Sequence, residues 1–175
     1  MTGARRSGNS LTRILDAITR FVGRAVAWLI VPMVASLVYE VIARYVFDAP
    51  TLWAYDMTYM LYGTFFMLGS AWTLQRGGHI RTDTFYAEWS PRRRALVDAT
   101  CYVLFFLPAM VVFLDLGAEY FWKSFQQNER IVTSPWLPIV WPFKFVMPRT
   151  AALLIVQGVS ELIKNVQVIV RRSPA

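Results

Sequence analysis

The feature that most constrains this chain is the clustering of its apolar residues into four long blocks separated by short polar segments. A helix needs about 20 mostly apolar residues to cross a hydrocarbon core about 30 Å thick, and each block approaches that length. Only 17% of the residues are charged, whereas soluble domains average about 25%. We therefore predict an all-α integral membrane protein in which residues 1–175 form a single four-helix membrane domain.

The apolar blocks predict four transmembrane helices, at about residues 25–46, 55–74, 95–118 and 143–169. The sequence "FDAPTLW" between the first two spans combines Asp, Pro and Trp, which suits a tight turn at the level of the lipid headgroups. Spans joined so closely must be antiparallel neighbours.

Two amphipathic interfacial helices accompany these spans. Apolar residues recur at helical spacing over about 10–24, which predicts a lead-in helix on the membrane surface. A cleaved signal peptide is the alternative for this region. The second interfacial segment covers about 80–90, and a third helix then begins with Ser90 as N-cap and Pro91 at its first position. The proline-rich sequence "TSPWLPIVWPFKFVMP" predicts an interfacial loop before the fourth span.

The distribution of Lys and Arg predicts the orientation. Thirteen of the eighteen basic residues fall on the side that carries the N-terminal segment, the middle loop and the tail, and five fall on the other side. The excess of positive charge marks the cytoplasmic face. Both termini should therefore be cytoplasmic, with "FDAPTLW" and the proline-rich loop outside.

The rarest residue types exclude several functions. A single cysteine, Cys101, allows no intramolecular disulfide, and a single histidine, His79, allows neither a bis-histidine haem nor a histidine-rich zinc site. The basic residues border the apolar blocks and do not form an aromatic-rich basic surface, so nucleic acid is not an expected partner. We find no catalytic constellation, and we expect neither enzyme activity nor a cofactor.

Charged residues near the first turn are the main candidate site. Glu40 and Arg44 lie four residues apart, in the order that favours an ion pair on a helix. The alternative makes Glu40 a proton-coupling carboxylate. Asp56 opens the second span, where it would complement the helix N-terminus and pair with Arg44, or form part of a substrate site. In "GGHIRTD", His79, Arg81 and Asp83 would form a hydrogen-bonded cluster or a pH-sensitive hinge. The alternative makes His79 a packing and hydrogen-bonding residue of an interfacial loop.

The order of these motifs resembles the small membrane subunit of tripartite ATP-independent periplasmic (TRAP) transporters, also called DctQ-like. The resemblance extends from about Leu11 to Arg172. One departure is Asp56, where the family more often has Glu. The matching residues are Arg44, Tyr45, Phe47, Pro50, Trp53, Asp56, Gly69, His79, Arg81 and Asp83.

The resemblance implies an accessory, scaffold-type permease subunit in the bacterial inner membrane. It implies a large permease subunit as a separate chain, a periplasmic substrate-binding protein, and sodium-driven uptake of organic acids or related solutes. The candidates for a structural or assembly role are then nine residues: Glu40, Arg44, Tyr45, Asp48, Trp53, Asp56, His79, Arg81 and Asp83. Asp48, Arg130 and Trp136 lie on the side where the binding protein would dock. The alternative function is a self-sufficient proton-coupled transporter that uses Glu40.

Overall fold

The computed structural model describes residues 10–77 and 89–170, and within these ranges it is helical without a strand. An isolated antiparallel bridge joins Arg130 and Ile139. The helices are α1 (Ser10–Ala27), α2 (Ile30–Tyr45), α3 (Ala54–Gln75), α4 (Pro91–Cys101), a π-helical segment (Tyr102–Phe106), α5 (Leu107–Gln126), α6 (Trp141–Lys144) and α7 (Val146–Val170).

Helices α1 and α2 meet at a short break at Trp28 and Leu29. Pro32 explains the break, because it has no amide hydrogen and restricts the residue before it, so it fits best in the first turn of a new helix. The lead-in helix therefore runs a few residues past the boundary expected at about residue 24, and the helix that covers most of the first predicted span begins at Ile30.

The connection between α2 and α3 is the tight turn expected from "FDAPTLW". Asp48 has a φ of 50°, a left-handed conformation that Asp tolerates better than most residues. The amide of Ala49 donates to the carbonyl of Ala43 over 2.9 Å and folds the chain back on α2. Helix α3 then runs antiparallel to α2 and covers the second predicted span almost residue for residue.

The third predicted span lies within a long helical stretch that contains a π-helical segment. The helix begins at Pro91, and the Ser90 side chain accepts a hydrogen bond from the amide of Arg93, as expected for an N-cap. Farther along, the amide of Leu107 donates to the carbonyl of Tyr102, five residues earlier. Pro108 follows immediately and has no amide hydrogen, which makes a local departure from the α-helical bonding pattern favourable here.

The proline-rich region forms a loop over residues 127–140, followed by the single turn of α6 and then by α7. The loop lies at the same end of the bundle as the α2–α3 turn, because the Ser134 hydroxyl donates to the carboxylate of Asp56. Helix α7, which covers the fourth predicted span, begins at Val146 rather than near residue 143, since Pro142 is accommodated in the separate helix α6.

Helix α7 is the centre of the bundle and contacts α1, α3, α4 and α5, whereas α2 packs on α3. The interior is small and polar: Ala151, Gln157 and Ser160 have no exposed surface. Large apolar side chains such as Phe21 and Phe105 are more than 70% exposed. This inverted distribution is the one expected of a bundle whose outer surface contacts lipid tails or other membrane helices.

Three of the described helical stretches are long and apolar enough to cross a membrane: Ser10–Tyr45, Pro91–Gln126 and Trp141–Val170. Helix α3 is not among them. Its 22 residues give it a length of about 33 Å, but tyrosine, threonine and glycine lower its mean hydropathy.

Candidate functional site

Glu40, Arg44 and Thr51 form a group that we call the turn cluster, at the end of α2. Arg44 Nε donates to Glu40 Oε1 over 2.9 Å, and its Nη2 donates to the same oxygen. The other carboxylate oxygen accepts from the Thr51 hydroxyl and, over 3.0 Å, from the Thr51 amide. The cluster therefore fixes the turn to α2, and both oxygens of Glu40 are occupied.

Asp56 takes a different partner from the one expected. We predicted a pair with Arg44, but in the described part of the chain Arg44 pairs with Glu40, and Asp56 accepts from Ser134. The change follows from the fold, because the loop 127–140 lies against the first turn of α3. Asp56 thus stands in the first turn of α3, as expected, and links that helix to the loop.

The other assembly candidates near the turn form part of its surface. Trp53 contacts Tyr39 on α2, with ring centroids 5.6 Å apart, and so packs the turn against that helix. Tyr45 is 80% exposed and is available to lipid or to a partner. Asp48 is exposed at the tip of the turn.

A second polar contact, the loop anchor, joins Glu129 in the loop to Lys144 in α6. The Lys144 ammonium is buried, donates to the Glu129 carboxylate and lies 3.7 Å from the centroid of the Tyr120 ring on α5. The hydrogen bond from Lys144 holds the pKa of Glu129 below its ordinary value. The anchor therefore fastens the start of the loop at any pH at which Glu129 is ionised.

The predicted contact residues of the loop lie on its surface. Arg130 Nη1 donates to the carbonyl of Leu137 over 3.1 Å, which closes the loop across its base. Trp136 is 41% exposed, and its amide donates to the Ser134 hydroxyl. Arg130 therefore also supports the loop.

A third group, the charged cluster, lies at the opposite end of the bundle and was missed from the sequence. Its members are Asp16 from α1 and Gln157, Ser160, Glu161 and Lys164 from α7. Lys164 Nζ lies 2.8 Å from Asp16 Oδ2 and 2.8 Å from Glu161 Oε1. Asp16 also accepts from the Ser160 hydroxyl over 2.7 Å and from the Gln157 amide over 3.2 Å. Asp16 thus joins α1 to the central helix.

The spacing of small and polar residues was the signal for this cluster. Thr12, Thr19, Gly23 and Val26 are buried, and with Asp16 they lie three or four residues apart on one face of α1. This face, rather than the apolar one, contacts the bundle. The apolar face is directed outward, with Phe21 74% exposed.

The remaining candidates, His79, Arg81 and Asp83, lie outside the described residues, as does most of the interfacial segment at 80–90. Within the described residues, no group of three or more His, Cys, Asp or Glu side chains is arranged to hold a metal ion. The three polar groups join helices and loops to one another, and each carboxylate in them is engaged by a hydrogen-bond donor from this chain.

The chain was also compared with known proteins. The family model described as "Tripartite ATP-independent periplasmic transporters, DctQ component" matches residues 33–168, which is 136 of the 175 residues. The chain belongs to this family. It is accordingly the small permease component of a TRAP transporter, and the DctQ family is a family of transporter components rather than of enzymes. No curated protein matches the sequence. The matched residues include the turn cluster and the loop anchor but not Asp16.

Proposed function

We propose that this DctQ component is a scaffold that braces a separate large permease subunit in sodium-coupled, binding-protein-dependent uptake of organic acids or related solutes. The observation that carries the proposal is that these carboxylates are already bonded within the chain. Glu40, Asp56 and Asp16 each accept hydrogen bonds from other residues of the chain. A solute or ion site would need polar groups directed at a ligand. The bracing role needs rigid helices with apolar outer faces.

The outer face of α2 fits such a role. Helix α2 packs on α3, and of its own residues Ser36 and Ala43 are buried. Val31, Val38 and Val41 on this helix are more than half exposed. In a membrane this surface meets lipid tails or the helices of another subunit, and we propose that part of it contacts the large subunit.

We further propose a four-span topology, with α2, α3, α4–α5 and α7 as the spans and both termini cytoplasmic. The excess of Lys and Arg on one side supports this orientation. Maleimide that cannot cross the membrane should label Val132→Cys from the periplasm and should not label Arg92→Cys, both made in a Cys101→Ser background. The reverse pattern would contradict the orientation.

The alternative function is a self-sufficient proton-coupled transporter based on Glu40. It loses support because both oxygens of Glu40 accept hydrogen bonds from Arg44 and Thr51. Liposomes that contain the chain alone test it, with Glu40→Gln as the variant. Transport by the chain alone that Glu40→Gln abolishes, with assembly intact, would favour the alternative. The scaffold proposal predicts no transport by either protein.

The exposed residues of the turn and the loop are candidates for contact with the periplasmic binding protein. Asp48 and Trp136 are exposed at the end of the bundle that we assign to the periplasm. Reversal of charge in Asp48→Arg or Arg130→Glu should weaken uptake and leave the complex with the large subunit intact. Asp48→Arg is the cleaner variant, because Arg130 also bonds to Leu137. Unchanged uptake in both variants would remove this contact from the proposal.

A further inference from the structure

A polar cavity of about 300 Å³ lies between α1 and the end of α3, beside the charged cluster. Its charged lining residues are Asp16, Arg20, Arg24, Arg76 and Lys164. Among the described residues of this lining, Asp16 is the only carboxylate, and it is already bonded to Lys164, Ser160 and Gln157. The three arginines therefore give the cavity a positive charge that the described part of its lining does not neutralise.

The arginines are placed to bind an anion. Arg20 and Arg24 are exposed and lie one turn apart on α1. Arg76 is the C-cap residue that follows α3, and its guanidinium carbon lies 4.2 Å from the centroid of the Trp72 ring. Stacking on the indole face orients the guanidinium and leaves its N–H donors at the edge, where they can reach a phosphate.

An apolar groove continues from this polar cavity. A second cavity, of about 480 Å³, is lined by Val26, Phe65, Phe66, Gly69 and Trp72, among others. Trp72 lines both cavities, so the polar part and the apolar part meet at its ring. The groove is open at Gly69, where a Cβ atom would meet nothing within 4 Å.

We propose that the two cavities together bind one phospholipid with an anionic headgroup. The phosphate would lie among Arg20, Arg24 and Arg76, and an acyl chain would lie in the groove along Gly69. The combination of a basic pocket with an adjoining apolar groove matches the two chemical halves of a lipid, and cytoplasmic basic pockets recognise anionic headgroups in this way. The lining residues of the two cavities come from α1, α3 and α7 of this chain.

The test is lipid retention by the full-length chain in a non-ionic detergent, measured by native mass spectrometry with added phosphatidylglycerol or phosphatidylcholine. We expect at least about tenfold tighter retention of phosphatidylglycerol, because each arginine near the headgroup favours the anionic lipid. The triple variant Arg20→Gln, Arg24→Gln, Arg76→Gln should reduce this preference to within about twofold.

The matched control is the triple variant Arg13→Gln, Arg92→Gln, Arg93→Gln, which removes the same charge from exposed residues that do not line the cavity. It should keep the preference. Equal retention of the two lipids by the unaltered chain, or an equal loss of preference in the control, would overturn the proposal.

Two further measurements separate a lipid from a free anion. Gly69→Leu fills the groove without changing the charge, and it should weaken retention of phosphatidylglycerol several-fold. Excess inorganic phosphate should not displace the lipid. An unaffected Gly69→Leu variant, or displacement by phosphate as effective as by phosphatidylglycerol, would show an anion site without a place for the lipid chain.

Discussion

At the scale of single residues, several charged side chains in the described part of this chain connect elements of the bundle. Glu40 fixes a turn to its helix, Lys144 fixes a loop, and Asp16 fixes α1 to α7. A buried charge without a partner is costly. Removal of one side chain of such a pair should therefore destabilise the protein, because the other charge is left unpaired.

Lys164→Ala should lower the thermal stability of the protein in detergent. The substitution leaves the Asp16 and Glu161 carboxylates close together without their cation, and their side chains are only 18% and 15% exposed. We expect a loss of about 2 to 3 kcal/mol, near the lower end for a broken buried pair because these side chains retain some contact with solvent.

The control for this substitution is Lys123→Ala. It removes a similar ion pair, with Glu119, in which both side chains are more than half exposed. Its midpoint of thermal unfolding should not change measurably. Equal effects of the two substitutions would show that the charged cluster does not stabilise the bundle.

The loop anchor should respond to acid. Lys144 lowers the pKa of Glu129 in the folded protein. The stability that this ion pair contributes is therefore complete when the pH is above 4.5, the ordinary pKa of Glu129. It declines as the pH falls below 4.5 and is lost once the pH passes the lowered pKa. Limited proteolysis of the loop 127–140 by an acid-active protease should therefore increase only below pH 4.5. Glu129→Gln should remove this pH dependence, and an unchanged acid profile in that variant would exclude the anchor as its source.

At the scale of helices, close approach depends on glycines that face large rings. A Cβ atom on Gly158 in α7 would lie 2.5 Å from Cε1 of Phe106 in the π-helical segment. Gly158→Ala should therefore destabilise the protein by about 1 to 3 kcal/mol, as overpacking does. Gly69→Ala is the matched control, because its added Cβ atom would have no neighbour within 4 Å and alanine has a higher helix propensity than glycine. Phe106→Leu should relieve the effect of Gly158→Ala, and the absence of such rescue would contradict this contact.

The helices were easier to predict than their contacts. Local features could be predicted from the sequence because they depend on the backbone chemistry of a few neighbouring residues. They include the N-cap Ser90, Pro91 at the first helical position and the turn at Asp48. The π-helical segment before Pro108 was missed, since the proline alone does not say how the backbone adjusts. The inward face of α1 was also missed. A helix on the membrane surface is expected to turn its apolar face to the lipid and its polar face to water, whereas here Asp16 and Thr19 face the bundle.

The candidate site could be predicted only where its residues are near in sequence. Glu40 and Arg44 are four residues apart, and their pairing on one helix follows from that spacing. Asp16 and Lys164 are 148 residues apart, and so are connected only by the packing of α1 on α7. The same limit applies to Asp56, whose partner Ser134 comes from a distant loop.

At the scale of the whole molecule, the bundle has a polar, small-residue interior and an apolar exterior. Gln157 has the largest fully buried side chain among the residues that the structure describes, and its amide nitrogen donates to Asp16 and Glu161. Helices that are bonded to one another in this way suit a subunit that supports another protein in the membrane. Our proposal therefore assigns solute and ion binding to the large permease subunit, and stability of the assembly to this chain.

Solute uptake into proteoliposomes distinguishes a scaffold subunit from a transporter. Three preparations are compared under a sodium gradient with the binding protein and its solute outside: this chain alone, the large permease subunit alone, and the two co-purified. A scaffold role predicts uptake by the co-purified pair and none by this chain alone. Sodium-driven uptake by liposomes that contain only this chain would contradict it.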